Sequence, residues 1–365
     1  MDPAIEGTAT VLRTVRFCYA HCRWSAATGR HFIQPGNPSM KTLRLLAGTA
    51  LLAACTLANA AAYDGLYVFG DSLSDSGNNA LVIGTDPGQV ITGNSYIPTF
   101  PYASGQYSNG DVWARTFASA IGLAAYGAPS LAGGGDYAYG GARTRVDGSA
   151  GGFPPSVKSQ VTSFLGAVGG VASGDSLYVV ASGGNDARDA LEAISVGAPI
   201  GATLVKTALS YAITTHRIVD RLQAAGAEHI IVWNVPDLGL APAVTAEGGL
   251  ATTMGHVVSS FMNVALGKAL AGEVGVQIFD TYGLLNAVVA DPAAYGLTNV
   301  TDACGNVAAG CDPLTSLFWD GIHPTSAGHA LLAGQMLAIA VPEPETFALM
   351  LGGLALVVVR ARRAA

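Results

Sequence analysis

Two strings far apart in this chain hold side chains suited to acyl chemistry: GDSLSDSGNN from Gly70 to Asn79, and DGIHP from Asp320 to Pro324. Ser72 follows directly on an apolar run, Leu66-Tyr67-Val68-Phe69, that reads as a buried strand. A serine hydroxyl is a weak nucleophile at neutral pH and needs an adjacent base. His323 supplies a base, and Asp320, three residues earlier, is close enough to hold one ring nitrogen while the other faces a hydroxyl. Nucleophile, base and orienter are the parts of ester hydrolysis. Gly-Asp-Ser-Leu alone says little, because serine is common at strand-to-helix turns and as a helix cap; its partners give it weight.

A tetrahedral intermediate places negative charge on the former carbonyl oxygen, and preorganised donors there contribute about 2.7 to 4 kcal/mol apiece. The candidates are the N–H of Ser72, the N–H of Gly141 and the side-chain amide of Asn185. Each has an ordinary alternative, since glycine pairs mark turns and Asn-Asp after a strand is a common loop. His216, His229 and His256 read as surface or capping residues, while His329, on the helix after His323, is placed where it could face the site. Asp320 and His323 lack a third clustered ligand, so no metal is expected, and the chemistry requires no organic cofactor. The first string lacks the Lys-Ser/Thr of a phosphate loop. Nor does it have the G-x-S-x-G spacing of a nucleophile elbow.

Positioning these residues requires a scaffold. Strand-like runs recur at Leu66–Phe69, Leu177–Ala181, Ile230–Asn234 and Val276–Asp280, with a weaker fifth at Tyr137–Gly140, and helical patterns at 111–121 and 204–222 lie between them. Continuous apolar strands alternating with helices indicate a parallel sheet covered on both faces. One α/β domain is expected over residues 61–340. Ligands of such sheets bind beyond the carboxyl ends of the strands, where Ser72, Gly140-Gly141 and Asn185 all fall.

Half of the 365 residues are hydrophobic and 12% charged, enough for a core without metals. Residues 61–341 carry nine basic and 21 acidic side chains, a net charge of −12. That excludes nucleic acid, whose phosphates need Lys and Arg. From Met40 the chain has a basic start at Lys41 and Arg44, an apolar stretch Leu45–Leu57 and the cleavage site Ala58-Asn59-Ala60, a secretory signal over 40–60. Residues 1–39 then read as an upstream extension before a true start at Met40. Leu52-Ala53-Ala54-Cys55 resembles a lipobox and offers a lipid-bearing Cys55 as an alternative. Cys304 and Cys311, separated by a short loop in an oxidising compartment, read as a disulfide. The segment 341–365 joins Pro342-Glu343-Pro344, an apolar run Phe347–Val359 and an arginine cluster, and resembles a PEP-CTERM sorting signal of Gram-negative bacteria. That resemblance implies processing by an exosortase during export; a plain membrane hook is the alternative.

Six blocks in order resemble the GDSL, or SGNH, hydrolases, in particular secreted lipases, esterases and haemolysin-like phospholipases: VFGDSLSDSGNN, YSNGDVWA, DYAYGGA, LYVVASGGND, VPDLGLAP and DGIHPTSAGH. The resemblance implies a three-layer α/β/α flavodoxin-like fold with a parallel sheet of about five strands. It also implies Ser72 as nucleophile, His323 as base, Asp320 as orienter, and Ser72, Gly141 and Asn185 as oxyanion donors. One departure is Asp136, where relatives usually have Asn, which keeps Gly140 as an alternative donor. The expected protein is an exported esterase or lipase acting on small-molecule or lipid acyl esters. An acyltransferase, or a non-catalytic surface protein on a hydrolase fold, are the competing readings. The loop Tyr96–Tyr107 is expected either to line an acyl groove or to pack on the domain.

Overall fold

The computed structural model describes residues 63–341. The expected extension and signal segment, with Cys55, and the sorting tail beyond Val341 lie outside the described residues. Strands β1 (Leu66–Gly70), β2 (Leu177–Ala181), β3 (His229–Trp233) and β4 (Val276–Phe279) form a parallel sheet in the order β1-β2-β3-β4. Each strand end falls within a residue of its expected position. The main helices are α1 (Asn78–Ile83), α2 (Trp113–Ala120), α3 (Val157–Ala167), α4 (Gly184–Ser195), α5 (Ile200–Ala224), α6 (Pro242–Thr245), α7 (Gly249–Ala269), α8 (Thr281–Ala290) and α9 (Ser326–Ala340). Among the described residues no helix is long and apolar enough to cross a membrane.

Alternation along the strands builds the three layers. Phe69, Tyr178, Val180, Ile230 and Val232 point to one face and pack with α3, α5 and α7 through Phe164, Tyr211, Leu222 and Met262. Their neighbours Val68, Leu177, Val179, Ile231 and Trp233 point to the other, against Trp113 and Phe117 of α2 and Met336 of α9. Both faces are therefore buried, which is why these strands read as continuous apolar runs.

The fifth strand is a correction: the sheet has four strands. The segment Gly135–Tyr139 does start a ladder on β1, with Val68 N–H donating to Gly135 O and Tyr137 N–H to Val68 O. Only one pair, Val68 with Asp136, completes a bridge to β1, although Tyr139 N–H still donates to Gly70 O at 3.2 Å. The next ladder donor, Gly70 N–H, is taken at 2.9 Å by Oε1 of Gln160 on α3, whose Nε2 returns a bond to Gly70 O at 2.8 Å. Counting this truncated segment as second in sequence, the spatial order is the flavodoxin-like 2-1-3-4-5, with its switch point between β1 and β2.

A second, two-stranded parallel sheet joins β5 (Asn299–Ala303) to β6 (Ser316–Phe318). Its strands are too short and irregular for a period-two pattern to show in the sequence. Cys304, just after β5, is disulfide-bonded to Cys311, with Cα atoms 5.5 Å apart.

Candidate active site

Ser72 sits in the tight turn after β1, His323 and Asp320 in the turn after β6. His323 Nε2 lies 2.8 Å from Ser72 Oγ, and His323 Nδ1 lies 2.7 Å from Asp320 Oδ2. Asp320 Oδ1 accepts the N–H groups of Ile322 and His323, both at 2.8 Å, so the loop's own backbone fixes the carboxylate. Asp320 is fully buried and His323 nearly so, while Ser72 keeps 9% of its surface exposed. A hydroxyl that reaches solvent, backed by a dry imidazole and carboxylate, is the arrangement in which a proton leaves the hydroxyl as it attacks.

Three neighbouring segments hold the histidine turn. Thr325 caps α9 by accepting Gly328 N–H at 3.0 Å and also donates to Ser316 O of β6 at 2.6 Å. Ser108 donates to Pro324 O at 2.9 Å, and Asn109 Oδ1 accepts Ser326 N–H at 2.7 Å. The ring of Tyr107 packs against that of His323 with centroids 5.3 Å apart. Tyr102 donates its hydroxyl to Asp320 Oδ2 at 2.8 Å. The loop Tyr96–Tyr107 thus packs on the triad-like residues; of its aromatic and apolar members, Ile97 lines the adjoining groove.

The remaining letters of the first string fix the backbone around Gly140 and Gly141. Asp75 accepts four backbone N–H groups, from Gly77 at 2.9 Å, Asn78 at 2.7 Å, Asn79 at 3.2 Å and Gly140 at 2.9 Å. Asn78 donates to the carbonyls of Asp136 and Ala138, and Asn79 to that of Gly140. Sequence reasoning gave these residues no role; their signal was that small polar residues able to bond backbone crowd after a strand. The Gly140 N–H is occupied by Asp75, and a Cβ there would come within 2.2 Å of the Tyr107 ring. Gly141, with φ +78°, lies in the left-handed region that favours glycine. Among the described residues, the N–H groups of Gly141 and Ser72 have no acceptor. Asn185, at the start of α4, uses one amide hydrogen on Ala142 O at 3.0 Å, leaving its second donor.

Asp136 does not displace this arrangement. Its Oδ2 accepts Ser76 N–H and its Oδ1 accepts Ala138 N–H, both at 2.8 Å. An asparagine could accept only at its single oxygen, so the carboxylate suits this backbone. Burial, with Asp75 nearby, pushes its pKa well above the ordinary value.

The model of the GDSL-like lipase/acylhydrolase family matches residues 66–336. The chain belongs to this family. Its relatives include esterase EstA of Pseudomonas aeruginosa, 30% identical over 339 residues that cover 80% of this chain and 49% of EstA. A GDSL esterase/lipase of Arabidopsis thaliana is 27% identical across 74% of this chain and 88% of its own length. The thermolabile hemolysin of Vibrio parahaemolyticus is 24% identical across 73% of this chain and 62% of its own. The chain spans about half the length of some of the curated relatives it matches. The family is one of lipases and acylhydrolases.

In this GDSL chain, Ser72, Asn185 and His323 open into a groove of about 1130 Å³. Asp71 also lines it, its pKa raised to about 6 by burial. Histidines outside the groove have other tasks. His256 Nδ1 lies 2.7 Å from Asp237 Oδ1, and His216 lies between Asp220 and Glu273. His229 begins β3 and packs edge-on against Tyr63. His329 is fully buried, absent from the groove wall, and neither ring nitrogen has a partner among the described residues.

Proposed function

We propose that this protein is an exported serine esterase or lipase that hydrolyses carboxylic esters through an acyl-enzyme on Ser72. The observation that carries the reading is the unbroken hydrogen-bonded line from Asp320 through His323 to Ser72 Oγ. Ser72 Oγ attacks the ester carbonyl carbon while its proton passes to His323 Nε2. Charge on the carbonyl oxygen is met by the N–H groups of Ser72 and Gly141 and the free amide hydrogen of Asn185. Collapse breaks the bond to the alcohol, which leaves with the proton from His323. Water then attacks the acyl-enzyme, giving its proton to the same nitrogen, and as the acyl–Oγ bond breaks His323 returns that proton to Ser72 Oγ and the free acid leaves.

Asp320 keeps the imidazole in the tautomer that presents an acceptor to Ser72 and stabilises the imidazolium that forms. The signal segment at 40–60 and the sorting-like tail support export. Ser72→Ala should lower kcat on a p-nitrophenyl ester by about 10⁶-fold without changing the fold, by analogy with nucleophile removal in other serine hydrolases. It should also abolish labelling by a fluorophosphonate probe. Undiminished turnover in the variant sinks the assignment, and recovery of the native protein from the cytoplasm alone sinks export.

A further inference from the structure

We infer that the site takes esters of long acyl chains, and that the chain lies along the wall built by α8, β6 and α9. The inference rests on the esterase reading above and names its substrate class. The groove, at about 1130 Å³, exceeds the roughly 300–1,000 Å³ that encloses a drug-sized ligand. Its charged lining side chains beyond the reacting centre, Arg188, Glu192, Asp237 and Glu247, come from α4 and from the stretch between β3 and α7. Aliphatic side chains line both sides, but the other brings no Asp, Glu, Lys or Arg into the groove: it presents Leu284, Leu285 and Val288 from α8, Leu317 from β6, and Leu331 and Leu332 from α9. Leu284, Leu285 and Leu331 are only partly buried and pack against the small core of Val288, Leu297 and Leu317. An acyl chain laid there extends that core and removes the exposed faces of these leucines from water. An acetyl group would leave them wet.

His323, from which the wall begins, follows β6 directly and precedes α9, so a carbonyl carbon held at Ser72 has this wall beside it. The test varies the acyl group from acetyl to palmitoyl while p-nitrophenol remains the leaving group. Wild-type kcat/KM is expected to rise about two- to fourfold per added methylene up to octanoyl, the range set by burying a methylene. Leu285→Trp and Leu331→Trp should each lower the decanoyl-to-acetyl ratio of kcat/KM at least tenfold. A wild-type profile that is flat or peaks at acetyl overturns the inference, as does an unchanged ratio in both folded variants. The wild-type profile decides even where a tryptophan variant does not fold. Absence of turnover at every chain length instead overturns the esterase reading, and this inference with it.

Discussion

Tyr102 Oη donates to Asp320 Oδ2 at 2.8 Å, the same oxygen that faces His323 Nδ1 at 2.7 Å. Burial and the neighbouring carboxylate push the Tyr102 phenol far above its ordinary pKa, so it stays a donor throughout the working range. Its ring is held edge-on against Trp319. With the two backbone N–H groups on the other oxygen, this donor holds the carboxylate against His323.

Tyr102→Phe should therefore act through His323. We expect kcat to fall about five- to tenfold, as for loss of one hydrogen bond contributing about 1 kcal/mol, with KM little changed. With the donor gone, Asp320 is held less firmly and orients the imidazole toward Ser72 less well. A kcat equal to wild type would leave Tyr102 with a packing role alone.

The oxyanion side separates two adjacent glycines. Asn185→Ala should cost about 10²- to 10³-fold in kcat with a small change in KM. Gly141→Ala should cost about 1–2 kcal/mol of stability through its left-handed backbone, whereas Gly140→Ala should damage folding more, because the added carbon meets the Tyr107 ring and the Asn79 amide. Urea unfolding of the two alanine variants ranks them; the reverse order would contradict the geometry.

His329 makes stability depend on acidity. Burial first, and then the charge on His323, lowers its pKa to about 3 from 6.5. Between those values the unfolded chain binds a proton that the native fold refuses. This contribution to stability is thus full above about pH 6.5 and is lost as pH falls toward 3. Relative to His329→Leu, wild type should lose up to about 1.4 kcal/mol per pH unit in that window. Asp71 and Asp75, raised to about 6, oppose the trend but are common to both proteins and cancel. Unfolding curves at pH 7.5 and pH 4.5 with equal spacing would refute this.

The Cys304–Cys311 bond closes a short loop, with a sequence separation of 7, beside the strand that leads to Asp320. Cys304 N–H donates to Phe318 O at 3.0 Å and Gly305 N–H to Trp319 O at 2.8 Å. Chain entropy for so small a loop predicts a loss of about 2 to 3 kcal/mol on opening it. The double variant Cys304→Ser/Cys311→Ser should melt several degrees lower. Equal melting temperatures under oxidising conditions would show that the covalent link adds nothing.

Much of this molecule could be read from local pattern. Apolar runs ending in Gly, Asn or Asp located all four strands of the main sheet, because a strand buried on both faces needs apolar residues at every position. Ser72 and Asn185 stood out because they follow strand ends, and the Asp320–His323 pair because a carboxylate stands three residues before a histidine. Less legible were the truncation of the fifth strand, which depends on Gln160 reaching across from α3 to take Gly70 N–H, and the small sheet of β5 and β6. The place of Tyr102, 218 residues from Asp320, carried no local signal either.

The amino-acid order alone determined which side chains were available for chemistry and which segments became strands, since both follow from residue type and short-range periodicity. The tertiary structure decided which N–H groups remain unpaired. Gly140 and Gly141 are identical in type and adjacent in sequence, yet Asp75 consumes the hydrogen-bonding capacity of one and leaves that of the other. A donor is free or taken according to what distant backbone brings within about 3 Å, and that is a property of packing.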